Sequence, residues 1–89
     1  MTERKDVITA LLVFIKKCSS YNGYFDNLRT VDDLKEDTNI FTDLCLDSID
    51  LYEIALQIEN HFNITVDVNE FYERETLGNI ADYIMSKLY

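Results

Sequence analysis

Apolar residues recur at helical spacing in three segments of this chain, and no proline interrupts any of them. The first segment runs from about Glu3 to Cys18. Its apolar positions follow the i, i+3, i+4, i+7 pattern of one helix face, and they are Val7, Ile8, Leu11, Leu12, Ile15 and Cys18. Thr2 suits the N-cap of this helix, and the polar run that ends at Gly23 suits its termination.

A second helix is predicted from Ser48 to His61 or Phe62, and a last helix from near Thr76, which is a good N-cap residue. The second helix places one apolar stripe towards a core, formed by Leu51, Ile54, Ala55, Ile58 and Phe62. The last helix does the same with Leu77, Ile80, Ala81, Ile84 and Leu88. Both stripes suit a small helical bundle.

The segments between these helices are less regular. Residues 63–68 alternate polar and apolar side chains as a strand does, but the chain offers no second strand, so we expect an extended connector that buries Ile64 and Val66. A short helix is predicted around Asn69–Arg74. Residues 21–43 predict a long ordered loop, with a helical turn around Val31–Glu36. Large apolar side chains would pin this loop to the core, namely Tyr24, Phe25, Leu28, Val31, Leu34, Ile40 and Phe41.

The predicted fold is therefore all-α: a single domain over residues 1–89, built as a small four-helix bundle with a long loop between helices 1 and 2 and a short third helix. No apolar run is long enough to span a membrane, and the charged N-terminus does not resemble a signal peptide. We expect a cytoplasmic monomer.

Charge and ligand chemistry exclude several functions. The net charge is −9, from 17 acidic and 8 basic residues, which argues against nucleic acid as a partner and suits basic surfaces on other proteins. Cys18 and Cys45 stand far apart in a chain with one histidine, His61, so no metal site is expected. The acids around Asp32, Asp33 and Asp37 lack the spacing of a calcium-binding loop.

The second helix carries a second apolar stripe, made of Ile49, Tyr52 and Leu56, on the side away from the predicted core stripe. Acidic residues, including Asp50 and Glu53, lie beside it. Either the long loop covers these residues or they are scattered exposed side chains. The alternative is that they form a docking stripe for partner proteins, with charges setting register and association rate.

Ser48 stands at the head of this helix. Asp47 before it can accept the N–H groups of the first turn, and Asp50 completes an acidic counterpart of a capping box. The Ser48 hydroxyl should face solvent. A hydrolytic nucleophile is excluded, because Gly-x-Ser-x-Gly is absent and His61 lies about 20 Å away along the same helix. Local physics alone leaves Ser48 as an ordinary first-turn serine.

Three sequence blocks add to this interpretation. Residues 43–54, D-L-C-L-D-S-I-D-L-Y-E-I, resemble the D-L-G-x-D-S-L-D/E-x-x-E-L pattern of acyl carrier proteins. Residues 58–66 are similar to the family's E-x-x-F-x-I-x-I segment, and residues 76–84 to its T-x-G-D-x-x-x-Y-I segment. The blocks occur in the family's order.

The resemblance implies that a phosphopantetheinyl transferase attaches 4′-phosphopantetheine from coenzyme A to Ser48. Asp47 matches the flanking acid that helps the transferase and its metal engage the site. Partner-binding positions of the family match Ile49, Asp50, Tyr52, Glu53 and Leu56. The implied protein is a non-catalytic carrier, which holds acyl groups as thioesters for synthases, ligases or transferases with basic docking surfaces.

Departures from the pattern suggest a specialised carrier. Cys45 replaces the glycine that usually stands three residues before the serine, so the turn could be stiffer or differently shaped. Asp67 replaces a common proline, Asn60 replaces a frequent acid, and the loop after the first helix is longer. Fatty-acid-like or polyketide-like biosynthesis is the leading hypothesis. The alternatives are an aminoacyl, D-alanyl or aryl carrier loaded by an adenylating enzyme, and an interaction module without an arm.

Overall fold

The structure is a computed structural model that describes residues 3–18, 20–27, 29 and 33–88. Within these residues the chain forms four helices: α1, Arg4–Lys16; α2, Ser48–Phe62; α3, Val68–Tyr72; and α4, Leu77–Leu88. Its described β pairing is an isolated bridge between Asn39 and Thr76. Helix α1 packs on both α2 and α4, and α3 packs on α2. The predicted all-α bundle with a short third helix is confirmed.

Each predicted helix stripe faces the core. All six residues of the first predicted stripe are buried, five of them in α1 and Cys18 just beyond its end, and Phe14 of α1 is buried with them. In α2 and α4 the predicted residues are buried except at the last positions, where Phe62 and Leu88 are only partly buried. Tyr83 of α4 is also buried, which the predicted α4 stripe did not include.

The helix boundaries differ slightly from the predicted ones. Glu3 is the N-cap of α1, and its backbone N–H donates to the Asp6 carboxylate at 3.1 Å. The predicted N-cap, Thr2, lies outside the described residues. Helix α1 ends at Lys16, and the Cys18 N–H then closes a tight turn on the Ile15 carbonyl at 3.0 Å.

The loop between α1 and α2 is pinned to the bundle by buried side chains, although not by all the predicted ones. Phe25 and Ile40 are buried, whereas Leu34 and Phe41 are half-buried. Tyr24 is exposed, so its predicted place against the core is wrong; its ring forms a T-shaped pair with that of Phe25, with centroids 5.2 Å apart. The other predicted positions, Leu28 and Val31, lie outside the described residues. In the described part of the predicted helical turn, Asp33 has 3₁₀ conformation and residues 34–36 are not helical.

Backbone hydrogen bonds fasten the end of this loop to the start of α4. The Ile40 N–H donates to the Glu75 carbonyl at 2.8 Å, and the Gly78 N–H donates to the Glu36 carbonyl at 2.8 Å. A Cβ at Gly78 would lie 3.2 Å from Glu36, so glycine permits this close approach. The Arg4 side chain, which pairs with Glu36 and Asp82, ties α1 to both elements.

Residues 64–67 form the connector that was predicted over 63–68, since Asn63 is the left-handed C-cap of α2 and Val68 begins α3. Val66 is buried and Ile64 is half-buried against the core. The Val66 N–H donates to the Glu59 carboxylate at 2.9 Å, which satisfies a backbone donor that a sheet partner would otherwise take. Asp67, where the family pattern has a proline, is the N-cap of α3 and accepts from the Asn69 N–H at 2.9 Å. Helix α3 therefore begins and ends earlier than the predicted Asn69–Arg74.

Candidate functional site

A tight turn before α2 sets the position of Ser48. Leu44 and Leu46 are both buried and hold this turn against the core, and the Leu46 N–H donates to the Ile40 carbonyl at 3.1 Å. Ser48 is the first residue of α2 and is exposed. The chain thus presents the Ser48 side chain at the start of a helix whose core face is firmly packed.

Cys45 adopts a left-handed backbone conformation in this turn, with φ of 58°. This conformation is costly for residues with a Cβ and freely open to glycine. The turn therefore has the shape that the family's glycine favours, and cysteine occupies it under strain. The Cys45 side chain is exposed, and the Asn22 amide lies 4.0 Å from its sulfur while donating to the Asp43 carbonyl at 3.2 Å.

Asp47 and Asp50 form the predicted capping box. The Asp50 N–H donates to the Asp47 carboxylate at 2.9 Å, and the Asp47 N–H points to the Asp50 carboxylate at 3.4 Å. Asp47 is exposed, but Asp50 is only 2% exposed. Asp50 therefore differs from the surface position expected of a partner-binding acid. Its carboxylate turns back to the helix start, because that is where the unpaired N–H groups are.

The second stripe of α2 is exposed. Ile49, Tyr52 and Leu56 are 71%, 53% and 46% exposed, and no described part of the loop covers them. The interpretation in which the loop folds over this stripe is therefore wrong for the described residues. Glu53 is exposed as well. Ser48 thus lies at one end of an apolar strip with a carboxylate beside it.

The start of α2 has a negative electrostatic environment. Cys18, just after α1, is buried, and the pKa of its thiol is raised to about 11. Burial is the largest cause, and the carboxylates of Asp50, Glu53 and Asp47 contribute to the same rise because each disfavours a nearby thiolate. The carboxylates around Ser48 therefore create a negative electrostatic potential, which favours positively charged partners.

Tyr72, the last residue of α3, contacts the main chain of Ser48, and sequence reasoning missed it. Its hydroxyl donates to the Ser48 carbonyl oxygen at 3.2 Å. The two residues are 24 positions apart, so no local pattern could show the contact. The only signal in the sequence was an aromatic residue beside Phe71 in a short helix.

No group of three or more metal-ligating side chains is found among the residues that the structure describes. In the same part of the chain, every helix is too short or too polar to cross a bilayer. Neither observation identifies a function. The candidate site is the Ser48 region with the exposed stripe of α2, on the evidence of their own geometry.

Comparison with known proteins identifies the class of this site. The family model of the phosphopantetheine attachment site matches residues 26–84. An acyl carrier protein of Lactobacillus acidophilus is 40% identical over 55 residues, which are 62% of this chain and 69% of that protein. An acyl carrier protein of Cyanophora paradoxa is 37% identical over 57 residues, which are 64% of this chain and 55% of that protein.

A third relative, an acyl carrier protein of Thermotoga maritima, is 34% identical over 53 residues, covering 60% of this chain and 65% of that protein. These matches define a carrier domain of the phosphopantetheine-binding class. The chain belongs to the acyl carrier protein family, whose prosthetic group is covalently attached 4′-phosphopantetheine. Such a domain works by contact with the enzymes that modify it and use it.

The residues at the head of α2 fit this group. Ser48 offers an exposed hydroxyl for a phosphodiester bond, and the first-turn N–H groups and the helix dipole favour an anion at that position. Asp47 and Asp50 oppose the phosphate charge in part, but each also accepts a first-turn or cap N–H. When bound, the arm supplies a thiol that carries acyl groups as thioesters.

Proposed function

We propose that Ser48 is the residue that carries 4′-phosphopantetheine, and that the protein holds acyl groups as thioesters for enzymes of fatty-acid-like or polyketide-like biosynthesis. The observation that carries the proposal is the exposed Ser48 at the first position of α2, inside the matched region 26–84. The chain's own part is to anchor the arm. Its buried turn and capping box hold the attachment oxygen at the surface.

The exposed stripe supports a docking role for α2. Ile49, Tyr52 and Leu56 offer apolar contact next to Ser48, and the acids beside them suit an Arg- or Lys-rich partner. The transferase that adds the arm and the enzymes that load or unload it would all meet this surface. Asp47 lies where the transferase and its metal would approach Ser48. Asp50 is not part of the contact surface in this proposal, because it is buried.

The attachment test is co-expression with a broad-specificity phosphopantetheinyl transferase, followed by intact mass measurement. Wild-type protein should gain the mass of one phosphopantetheine, and Ser48→Ala should gain none. Ser20→Ala is the matched control, since it removes a different serine hydroxyl outside the helices, and it should gain the arm as wild type does. Modification of Ser48→Ala, or none of wild type, would contradict the proposal.

The docking test uses two side chains of nearly equal exposure. Leu56 on α2 is 46% exposed and Val13 on α1 is 47% exposed. Leu56→Ala should weaken binding to the transferase by about 1–2 kcal/mol, as truncation of an interface anchor does. Val13→Ala should leave binding unchanged. Equal effects of the two variants would remove the case for a docking stripe on α2.

Cargo is tested separately. The arm-bearing protein is incubated with candidate acyl-transferring enzymes and, in parallel, with amino-acid-adenylating ligases, and the thioester is identified by mass spectrometry. Loading by acyl-transferring enzymes alone supports the proposed role. Loading by an adenylating ligase alone would replace it with an aminoacyl or aryl carrier.

A further inference from the structure

Tyr72 lies beside the point at which the arm leaves the protein. Its hydroxyl donates to the Ser48 carbonyl oxygen at 3.2 Å, and Tyr72 is half-buried. In a serine only the carbonyl carbon, Cα and Cβ separate the carbonyl oxygen from the side-chain oxygen. A group attached to the Ser48 side chain is therefore joined, through only three carbon atoms, to the carbonyl oxygen that the Tyr72 hydroxyl contacts.

Helix α3 needs such contacts, because a helix of five residues is not stable alone. At its start, the Tyr83 hydroxyl accepts from the Asp67 N–H at 3.0 Å. In its middle, Phe71 is fully buried and meets the Tyr83 ring edge-on at 6.5 Å. At its end, Tyr72 reaches Ser48. The first two contacts join α3 to α4, and the third joins α3 to the first turn of α2.

We propose that Tyr72 is a positioning residue for the arm. Its hydroxyl holds the end of α3 against the carbonyl group of Ser48, so that α3 lies beside the residue from which the arm leaves and limits the directions open to the base of the arm. The inference rests on the proposed attachment of the arm to Ser48. The hydrogen bond lies at the surface, where water competes for both partners, so its effect on overall stability is small. Its effect on the phosphodiester group of the arm is local, because that group and the hydrogen bond belong to the same residue.

The experiment compares arm-bearing wild type, Tyr72→Phe and Tyr83→Phe. Both variants remove one hydroxyl from a contact of α3 and keep the aromatic ring. Only Tyr72→Phe removes the contact with Ser48, whereas Tyr83→Phe loosens α3 at its start. Circular dichroism establishes the fold of each variant, and intact mass establishes that each carries the arm.

The first readout is the ³¹P resonance of the phosphodiester, which reports the surroundings of the arm's base. We expect Tyr72→Phe to shift and narrow this resonance, and Tyr83→Phe to leave it at the wild-type position. The second readout is amide hydrogen exchange at the end of α3, where Glu73 and Arg74 donate to α3 carbonyls. Tyr72→Phe should speed their exchange roughly two- to twelvefold, the range that corresponds to one net hydrogen bond.

The outcomes separate the two proposals. If wild-type protein gains no arm, the proposed function fails, and the positioning role fails with it. If all three proteins carry the arm but the ³¹P resonance of Tyr72→Phe matches wild type, only the positioning role is overturned. An equal ³¹P shift in Tyr83→Phe would also overturn it, because general loosening of α3 would then account for the effect.

Discussion

Replacing Cys45 with glycine should stabilise the protein. Cys45 has φ of 58°, and its neighbours Leu44 and Leu46 are buried, so the turn cannot relax without pulling a leucine from the core. The left-handed conformation costs a non-glycine residue about 1–2 kcal/mol. Glycine adopts it without that cost.

The net gain is smaller than the strain. Glycine adds conformational freedom to the unfolded chain, which costs about 0.4–1 kcal/mol. The contact between the Cys45 sulfur and Asn22, at 4.0 Å, is too long to offset much. We therefore expect Cys45→Gly to raise the free energy of unfolding by about 0.5–1 kcal/mol. For a domain of this size that corresponds to a rise in Tm of roughly 2–8 °C.

The assay is urea unfolding of the protein without its arm, under reducing conditions, with circular dichroism as the signal that monitors unfolding. Two controls isolate the backbone effect. Cys45→Ala removes the thiol but keeps a Cβ, so it should not stabilise. Asn63→Gly changes the other described non-glycine residue with positive φ, at 56°, and should gain less because asparagine tolerates this conformation. If Cys45→Gly is neutral or destabilising, or if Cys45→Ala matches it, the strain argument is refuted.

Three further predictions concern the same end of the bundle. Asp47→Ala should lower the free energy of unfolding in urea by about 1 kcal/mol through loss of the α2 cap, and Asp47→Asn should lower it less; equal losses would contradict the capping role. Iodoacetamide should label Cys45 in the native protein and spare Cys18, and should label both in urea; native labelling of Cys18 would contradict its burial. Stability should fall as pH rises from about 9 to about 11, because the unfolded Cys18 thiol ionises near 9.0 while the folded one stays protonated up to about 11. The loss of stability approaches roughly 2–3 kcal/mol. Cys18→Ala should remove this loss except for the part that comes from Tyr21, because burial raises the pKa of Tyr21 as well. If Cys18→Ala leaves the dependence of stability on pH unchanged, Cys18 is not its source.

Periodicity predicts much of this fold because each long helix buries one continuous stripe. The core positions of α1 and α2 follow from the i, i+3, i+4 spacing alone. The capping box at the head of α2 is equally local, since Asp47 and Asp50 bond to N–H groups within one turn. Surplus apolar residues on a helix that already has a core face revealed the second stripe of α2, but the sequence left open whether the loop covers it.

Contacts between distant segments escape this kind of reasoning. Tyr72 reaches Ser48 only because the connector after α2 folds α3 back to the start of that helix. Tyr24 looked like a core residue by composition, but Phe25 next to it takes the buried position. Asp50 was expected at a partner-binding surface because of the family resemblance, but its side chain is buried in the capping box that the sequence also predicted. The left-handed turn at Cys45 was suggested only by the family's glycine.

The central claim, that Ser48 bears the arm, is tested most directly by locating the modification in the wild-type chain. After co-expression with a transferase, trypsin should release residues 36–74, because Lys35 and Arg74 bound a segment without internal Lys or Arg. Ser48 is the single serine of this peptide. Tandem mass spectrometry should find one phosphopantetheine on this peptide, with the fragment series changing mass at Ser48. An arm on any other residue, or an unmodified peptide, would contradict the account.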